Sequence, residues 1–145
     1  MIMKKLFVVT LLFLVLAGCG DDDQGAALIG VWIGDFRDVT LCDNDPTAAQ
    51  TFSLRCNSTT CYRLELNADG TYSYQQGTLV ENGTYTGNFT VLTLCMDEEG
   101  ETVCMTYTVE GNTSATLDIS MTDEATGCKS TFFFSKDNSD IDSGS

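Results

Sequence analysis

The chain contains no histidine, one proline, one tryptophan and only seven basic residues against 21 acidic ones. Histidine is the side chain that most often acts as a general base at neutral pH, and it is a common zinc ligand. The sequence also has no Cys-x-x-Cys pair and no Gly-x-Ser-x-Gly motif that would present a nucleophile. We therefore expect no catalytic residue, no metal site and no cofactor, and we do not expect an enzyme.

The excess of acidic residues gives the chain a formal net charge of −14 at pH 7. This charge disfavours nucleic acid and anionic membrane surfaces as partners, whereas it is compatible with a cationic partner. Part of the charge falls in short runs that predict solvated turns, at Asp97-Glu98-Glu99 and at Asp43-Asn44-Asp45. The second run has oxygen ligands at alternate positions, but it lacks the glycine and the glutamate that complete a calcium-binding loop.

The first 20 residues have the organisation of an export signal. Lys4 and Lys5 precede an apolar run over residues 6–16. As a helix that rises about 1.5 Å per residue, this run would cross roughly half of the ~30 Å hydrocarbon core of a bilayer. It is therefore too short for a permanent membrane span and has the length of a signal-peptide apolar region.

The signal ends in Leu16-Ala17-Gly18-Cys19, which resembles the lipobox of bacterial lipoproteins. The resemblance implies that residues 1–18 are a signal peptide that is removed, that Cys19 is lipidated, and that residues 19–27 form an acidic tether. Two or more acyl chains anchor a protein stably, so the expected partner is a membrane of the cell envelope. Acidic runs after the lipidated cysteine resemble those of lipoproteins sent to the bacterial surface, which implies the outer membrane or cell surface. The alternative is an ordinary secretory signal with an incidental cysteine.

The cysteine count supports this interpretation, because lipid on Cys19 leaves six of seven cysteines for disulfides. Six cysteines in a small exported domain predict up to three disulfides, with fifteen connectivities. Cys95 and Cys104 flank a hairpin tip symmetrically, which would place their Cβ atoms opposite each other. Cys56 and Cys61 enclose only four residues and could close a local loop. Cys42 and Cys128 would then remain as the third pair.

The rest of the sequence predicts β-strands almost throughout. Threonine, tyrosine, phenylalanine and valine are frequent, and turn residues recur about every ten positions. Turns are expected at residues 67–70, where Asp69-Gly70 is a strong hairpin signal, and at residues 81–83 and 111–112. The predicted fold is all-β, with eight or nine short antiparallel strands that run up and down and close into one disulfide-stapled barrel.

Three segments together resemble the small lipocalin-like domains of bacterial lipoproteins. The opening Leu28-Ile29-Gly30-Val31-Trp32 is followed by the hairpin sequence of residues 64–72 and by Asn82-Gly83-Thr84-Tyr85-Thr86. The resemblance implies an eight-stranded barrel over residues 28–136, closed at one end, with Trp32 plugging the base. Residues 37–61 would be an inserted, disulfide-held loop, and the mostly polar residues 137–145 a disordered tail.

Two functions from different classes fit such a barrel. A barrel of eight short strands is either filled by side chains or holds one small ligand, and Trp32, Tyr72, Phe89, Tyr107 and one face of residues 132–134 could line a pocket. These side chains could equally form a plain core. We expect a binding module, and a small hydrophobic ligand is one candidate for what it binds. The alternative is a protein-interaction module, such as an inhibitor or adhesin, that contacts a cationic partner through its acidic loops.

Overall fold

The computed structural model describes residues 27–40, 42, 46–56 and 60–138, and it contains nine strands and one short 3₁₀ helix within these ranges. The helix spans Pro46–Ala48. The strands are β1 (Gly30–Thr40), β2 (Gln50–Ser53), β3 (Tyr62–Leu66), β4 (Thr71–Gln76), β5 (Leu79–Gly87), β6 (Val91–Glu98), β7 (Glu101–Asn112), β8 (Thr116–Thr122) and β9 (Lys129–Lys136).

Eight of these strands form a closed antiparallel barrel, which confirms the predicted fold class. Strands β3 to β9 pair with their sequence neighbours, and β1 pairs with both β3 and β9. The contact between the first and last strands is long, because it runs from Trp32 opposite Lys136 to Thr40 opposite Lys129. Closure removes the unpaired edges that an open sheet would expose. The barrel is thus consistent with a lipocalin-like architecture.

The remaining strand, β2, pairs with the same edge of β1 as β3 does, but further along the strand. Residues 30–33 of β1 pair with β3, whereas residues 36–39 pair with β2. The prediction of an inserted loop over residues 37–61 is therefore only partly right. Residues 37–40 belong to barrel strand β1. The four residues of β2 join the sheet because β3 pairs only with the first part of β1 and leaves the later part of the same edge free to pair.

The turn at residues 67–70 forms as predicted. Gly70 adopts a φ of +82°, a conformation that side chains rarely tolerate, and its N–H donates to the carbonyl of Asn67. The Asp69 carboxylate accepts hydrogen bonds from the N–H and the hydroxyl of Thr71. Each of these contacts spans four residues or fewer, which explains why this turn is readable from the sequence.

The predicted turn at residues 111–112 is wrong, because these residues are the end of strand β7. The predicted turn at residues 81–83 is wrong too, because these residues lie inside β5. The chain reverses earlier, at Gly77, which adopts a φ of +61°. Gly83 serves close packing: a Cβ built there would lie 2.0 Å from the carbonyl oxygen of Cys95 and 2.7 Å from the ring of Tyr72. Glycine is needed here for space between strands and does not mark a turn.

The end of the barrel where β1 begins is filled by apolar side chains, and we call this layer the floor. Its members are exposed by 1% or less: Leu28, Trp32, Leu66, Leu92 and Leu117. The indole Nε1–H of Trp32 donates to the carbonyl of Leu28 at 2.8 Å, so its polar group is satisfied. The Nζ of Lys136 lies 5.0 Å from the centre of the Trp32 ring. These contacts close this end of the barrel.

All three disulfides predicted from the sequence are present: Cys42–Cys128, Cys56–Cys61 and Cys95–Cys104. Cys95 and Cys104 are direct cross-strand partners, in agreement with the hairpin symmetry. Cys42 lies just after the end of β1, and Cys128 lies directly before β9, so their disulfide links the two strands that close the barrel. All three disulfides lie toward the mouth, which is our name for the end of the barrel opposite the floor.

Several predictions concern residues outside the described ranges. They include the signal at residues 1–18, the lipidation of Cys19, most of the tether at 19–27, the turn at 43–45 and most of the tail at 137–145. Within the described ranges, no helix is long and apolar enough to cross a bilayer.

The three disulfides should differ in their contribution to stability. The pairs enclose separations of 86, 9 and 5 residues for Cys42–Cys128, Cys95–Cys104 and Cys56–Cys61. If each mainly restricts the unfolded chain, removing them as double alanine variants should cost about 4–5, ~3 and ~2 kcal/mol, respectively. Urea unfolding of the three double variants measures this order. A larger loss for Cys56/Cys61 than for Cys42/Cys128 would contradict it.

Candidate ligand-binding site

A small cavity lies inside the barrel, directly above the floor. Its volume is about 60 Å³. Its walls are mainly aromatic and aliphatic, with one carboxylate, and they come from seven strands: Leu64 on β3, Tyr72 and Tyr74 on β4, Glu81 on β5, Leu94 on β6, Tyr107 on β7, Ile119 on β8, and Phe132 and Phe134 on β9. Because Leu66, Leu92 and Leu117 seal the space below, the cavity faces the mouth.

Tyr72 places an unsatisfied polar group at this cavity. The residue is only 2% exposed, and its hydroxyl has no hydrogen-bond partner among the residues that the structure describes. Its ring is held in place because it packs against Gly83, where any larger residue would displace it. A buried hydroxyl without a partner is destabilising by about 1–3 kcal/mol, so such a group calls for an explanation.

Glu81 and three tyrosines form the polar part of the cavity. Burial raises the pKa of Tyr72, Tyr74 and Tyr107, and the negative charge of Glu81 raises the pKa of all three further. All three phenols are therefore neutral at physiological pH and within electrostatic reach of one carboxylate. Within the described ranges, Glu81 has neither a hydrogen-bond partner nor an ion-pair partner in the structure.

Arg37 brings a positive charge to the mouth side of the cavity. A β-bulge between Gly34 and Phe36 shifts the register, so Phe36 pairs with the outward Phe133 and Arg37 pairs with the inward Phe132. The guanidinium lies 5.8 Å from the ring centre of Phe132 and 4.8 Å from that of Phe52. Its Nε is buried and has no hydrogen-bond partner within the part of the chain described.

The structure brings together some of the residues that were predicted to bind a ligand. Tyr72 and Tyr107 line the cavity, as does one face of residues 132–134, namely Phe132 and Phe134. Trp32 lies in the floor and does not line the cavity. Phe89 is 46% exposed in the turn before β6, so it does not face the barrel interior.

Sequence reasoning did not include Tyr74, Glu81 and Arg37 among the candidate ligand-binding residues. Glu81 was placed in a turn, although in β5 it is the direct partner of Tyr74. The alternation of Tyr72 and Tyr74 contained a usable signal, because both must face the same side of a strand. Arg37 carried no such signal, since its direction depends on the bulge.

No group of three or more histidine, cysteine, aspartate or glutamate side chains that could hold a metal ion occurs in the described ranges. The cavity itself offers a single carboxylate. Comparison of the chain with protein-family models, with curated proteins and with solved structures finds no match in any of the three. The candidate site therefore has to be interpreted from its own geometry.

The buried tyrosines should make stability fall at alkaline pH. Below about pH 10, tyrosine is protonated in both the folded and the unfolded protein. Above that pH, the tyrosines of the unfolded chain ionise, whereas the buried tyrosines of the folded protein stay neutral because their pKa values are raised. The unfolded state then binds fewer protons, so the free energy of unfolding should decrease from about pH 10 upward. Urea unfolding between pH 8 and 12 measures this, and Tyr74→Phe should weaken the decrease. An unchanged pH profile in Tyr74→Phe would contradict the assignment.

Proposed function

We propose that this protein is a lipid-anchored lipoprotein of the cell envelope whose barrel is a non-enzymatic binding module. The barrel takes a small group of its ligand into the cavity above the floor. The observation that carries this proposal is the Tyr72 hydroxyl, which lies at an aromatic cavity and has no partner among the residues that the structure describes. A ligand group at this position would satisfy the hydroxyl and remove the cost of burying it.

The size of the cavity limits what it can accept. Pockets that enclose drug-sized ligands measure about 300–1,000 Å³, and an apolar cavity of about 150 Å³ holds one benzene. A cavity of about 60 Å³ therefore has room for a terminal group of a few heavy atoms and not for a whole lipid. The remainder of the ligand would lie at the mouth. This favours recognition of one end of a molecule over transport of an enclosed apolar cargo.

The disulfides support a location outside the cytoplasm. Disulfides persist in oxidising compartments and are rare in reducing ones. All six cysteines after Cys19 are paired in three bonds, which leaves Cys19 as the single remaining cysteine of the seven. That pattern fits lipidation at Cys19 in an oxidising compartment, and we propose attachment to the outer membrane or cell surface.

A protein-interaction module is the second candidate, and a specific observation favours it. Apolar side chains are exposed near the mouth, where Leu79 is 55% and Val103 is 38% exposed. The acidic tip of the β6–β7 hairpin, with Glu98, Glu99 and Glu101, lies beside Val103. An apolar surface next to negative charge suits a cationic protein partner. Binding to such a partner would weaken steeply as salt is added.

Replacing Cys19 tests the anchor. We expect Cys19→Ser to abolish lipid labelling and to move the protein out of the detergent-extracted membrane fraction, because no acyl chain can be attached. Fractionation with radiolabelled palmitate measures both effects. Equal membrane association of Cys19→Ser and the unchanged protein would contradict a lipid anchor.

Two tyrosine variants test the cavity. Tyr72→Phe removes a hydroxyl that has no partner in the described part of the chain, so stability should not fall, whereas a ligand bound to that hydroxyl should be lost or weakened about tenfold. Tyr85→Phe is the matched control, because its hydroxyl donates to the Asn67 carbonyl at 2.9 Å. It should lower stability by about 1 kcal/mol and leave the ligand bound.

Native mass spectrometry of protein purified from an oxidising periplasm, together with thermal unfolding, separates these outcomes. Excess mass that is present in Tyr85→Phe and absent in Tyr72→Phe supports the proposal. A bare mass for the unchanged protein would remove support from the ligand-binding module and favour the protein-interaction module.

A further inference from the structure

We propose that the cavity binds the ammonium end of a small organic amine, with Glu81 as its counter-ion and the tyrosine and phenylalanine rings as its cage. This inference rests on the proposed ligand-binding function and names the chemical class of the ligand.

The walls of the cavity have the composition that attracts a cation. Five of the nine lining residues are aromatic, including Tyr74, Tyr107 and Phe132. Aromatic faces carry negative charge density and attract ammonium groups within about 6 Å of the ring centre, most strongly where water is excluded. An uncharged apolar group would also fit these rings, so the rings alone do not select a cation.

The carboxylate of Glu81 makes that selection. It is half-buried at the cavity wall and, in the described part of the chain, has no partner of its own. A carboxylate in a partly dry site without a partner is costly, and an ammonium group would compensate it with both charge and hydrogen bonds. The acidic groups elsewhere in the chain reinforce the negative potential at the cavity, since the net charge is −14.

Tyr72 supplies the second polar contact. An ammonium group has three N–H donors and no acceptor, so it needs more than one acceptor to replace the water it loses. The Tyr72 hydroxyl oxygen is an acceptor at the same cavity; the residue is 98% buried, and its hydroxyl has no partner in the described ranges. One donor can therefore bind Glu81, a second can bind Tyr72, and the third can face the mouth.

Arg37 restricts the charge that the other end of the ligand can carry. Its guanidinium lies over Phe132 on the mouth side, and its charge acts on Tyr74, where it opposes the effect of Glu81. A second cationic group on the ligand would be repelled there. The ligand class is therefore a monoamine whose outer end is neutral or acidic.

Three four-carbon probes of equal length test this: n-butylamine, 1-butanol and butyrate, titrated calorimetrically into the full mature protein in nonionic detergent. We expect n-butylamine to bind at least about tenfold more tightly than the other two, a difference typical of one well-placed ion pair. Glu81→Gln should abolish this preference. Glu98→Gln, which changes the net charge equally but lies at the hairpin tip, should change the affinity by less than about twofold because its charge is solvent-exposed.

The possible results separate the two proposals. Equal binding of n-butylamine and 1-butanol to the unchanged protein, or an unchanged preference in Glu81→Gln, would overturn the amine assignment and leave the binding module standing. No binding of any probe, together with a bare native mass, would overturn both. Because the comparison of probes uses the unchanged protein, it does not depend on whether Glu81→Gln folds.

Discussion

The pairing of β1 with β9 is the constraint on which the rest of the structure depends. It spans Trp32 to Thr40 on one strand and Lys129 to Lys136 on the other, and it turns a meander of hairpins into a closed wall. Once the wall is closed, every second side chain must face inward, so the interior is specified by the register of the strands. The floor, the cavity and the inward direction of Arg37 all follow from that register. Cys42–Cys128 holds the two strands together where their pairing ends.

The two ends of the barrel are stabilised by different interactions. At the floor, fully buried side chains such as Trp32, Leu66 and Leu117 contribute through the hydrophobic effect, at roughly 1.5–3 kcal/mol for each large side chain. Toward the mouth the interior holds Glu81, Arg37 and tyrosine hydroxyls, which are poorly suited to a dense apolar core. The three disulfides lie on this side, where they restrict the chain without filling the interior. A domain of this size can thus keep polar groups in its interior because covalent links replace part of the missing packing.

The features that could be read from the sequence are those that depend on neighbouring residues or on strict alternation. The turn at Asp69-Gly70, the symmetry of Cys95 and Cys104, and the inward faces of β4 and β9 belong to this group. Gly83 was misread because the reason for its presence is the carbonyl of Cys95, which lies on another strand. Glu81 was missed because residues 81–83 were predicted to form a turn, and Arg37 because residues 37–61 were predicted to form an inserted loop. Only the bulge at Gly34–Phe36 and the pairing of Glu81 with Tyr74 turn them inward.

The point at which the chain enters the barrel determines how the molecule is presented. β1 begins beside the floor, since Gly30 pairs with Leu66, and the preceding Leu28 is itself part of the floor. Any lipid at Cys19 is therefore attached to the sealed end of the barrel through fewer than ten residues of tether. In an upright molecule the cavity would open away from the bilayer, toward molecules arriving from solution. Membrane components would meet the sealed end of the barrel, and soluble components would meet the charged, aromatic opening.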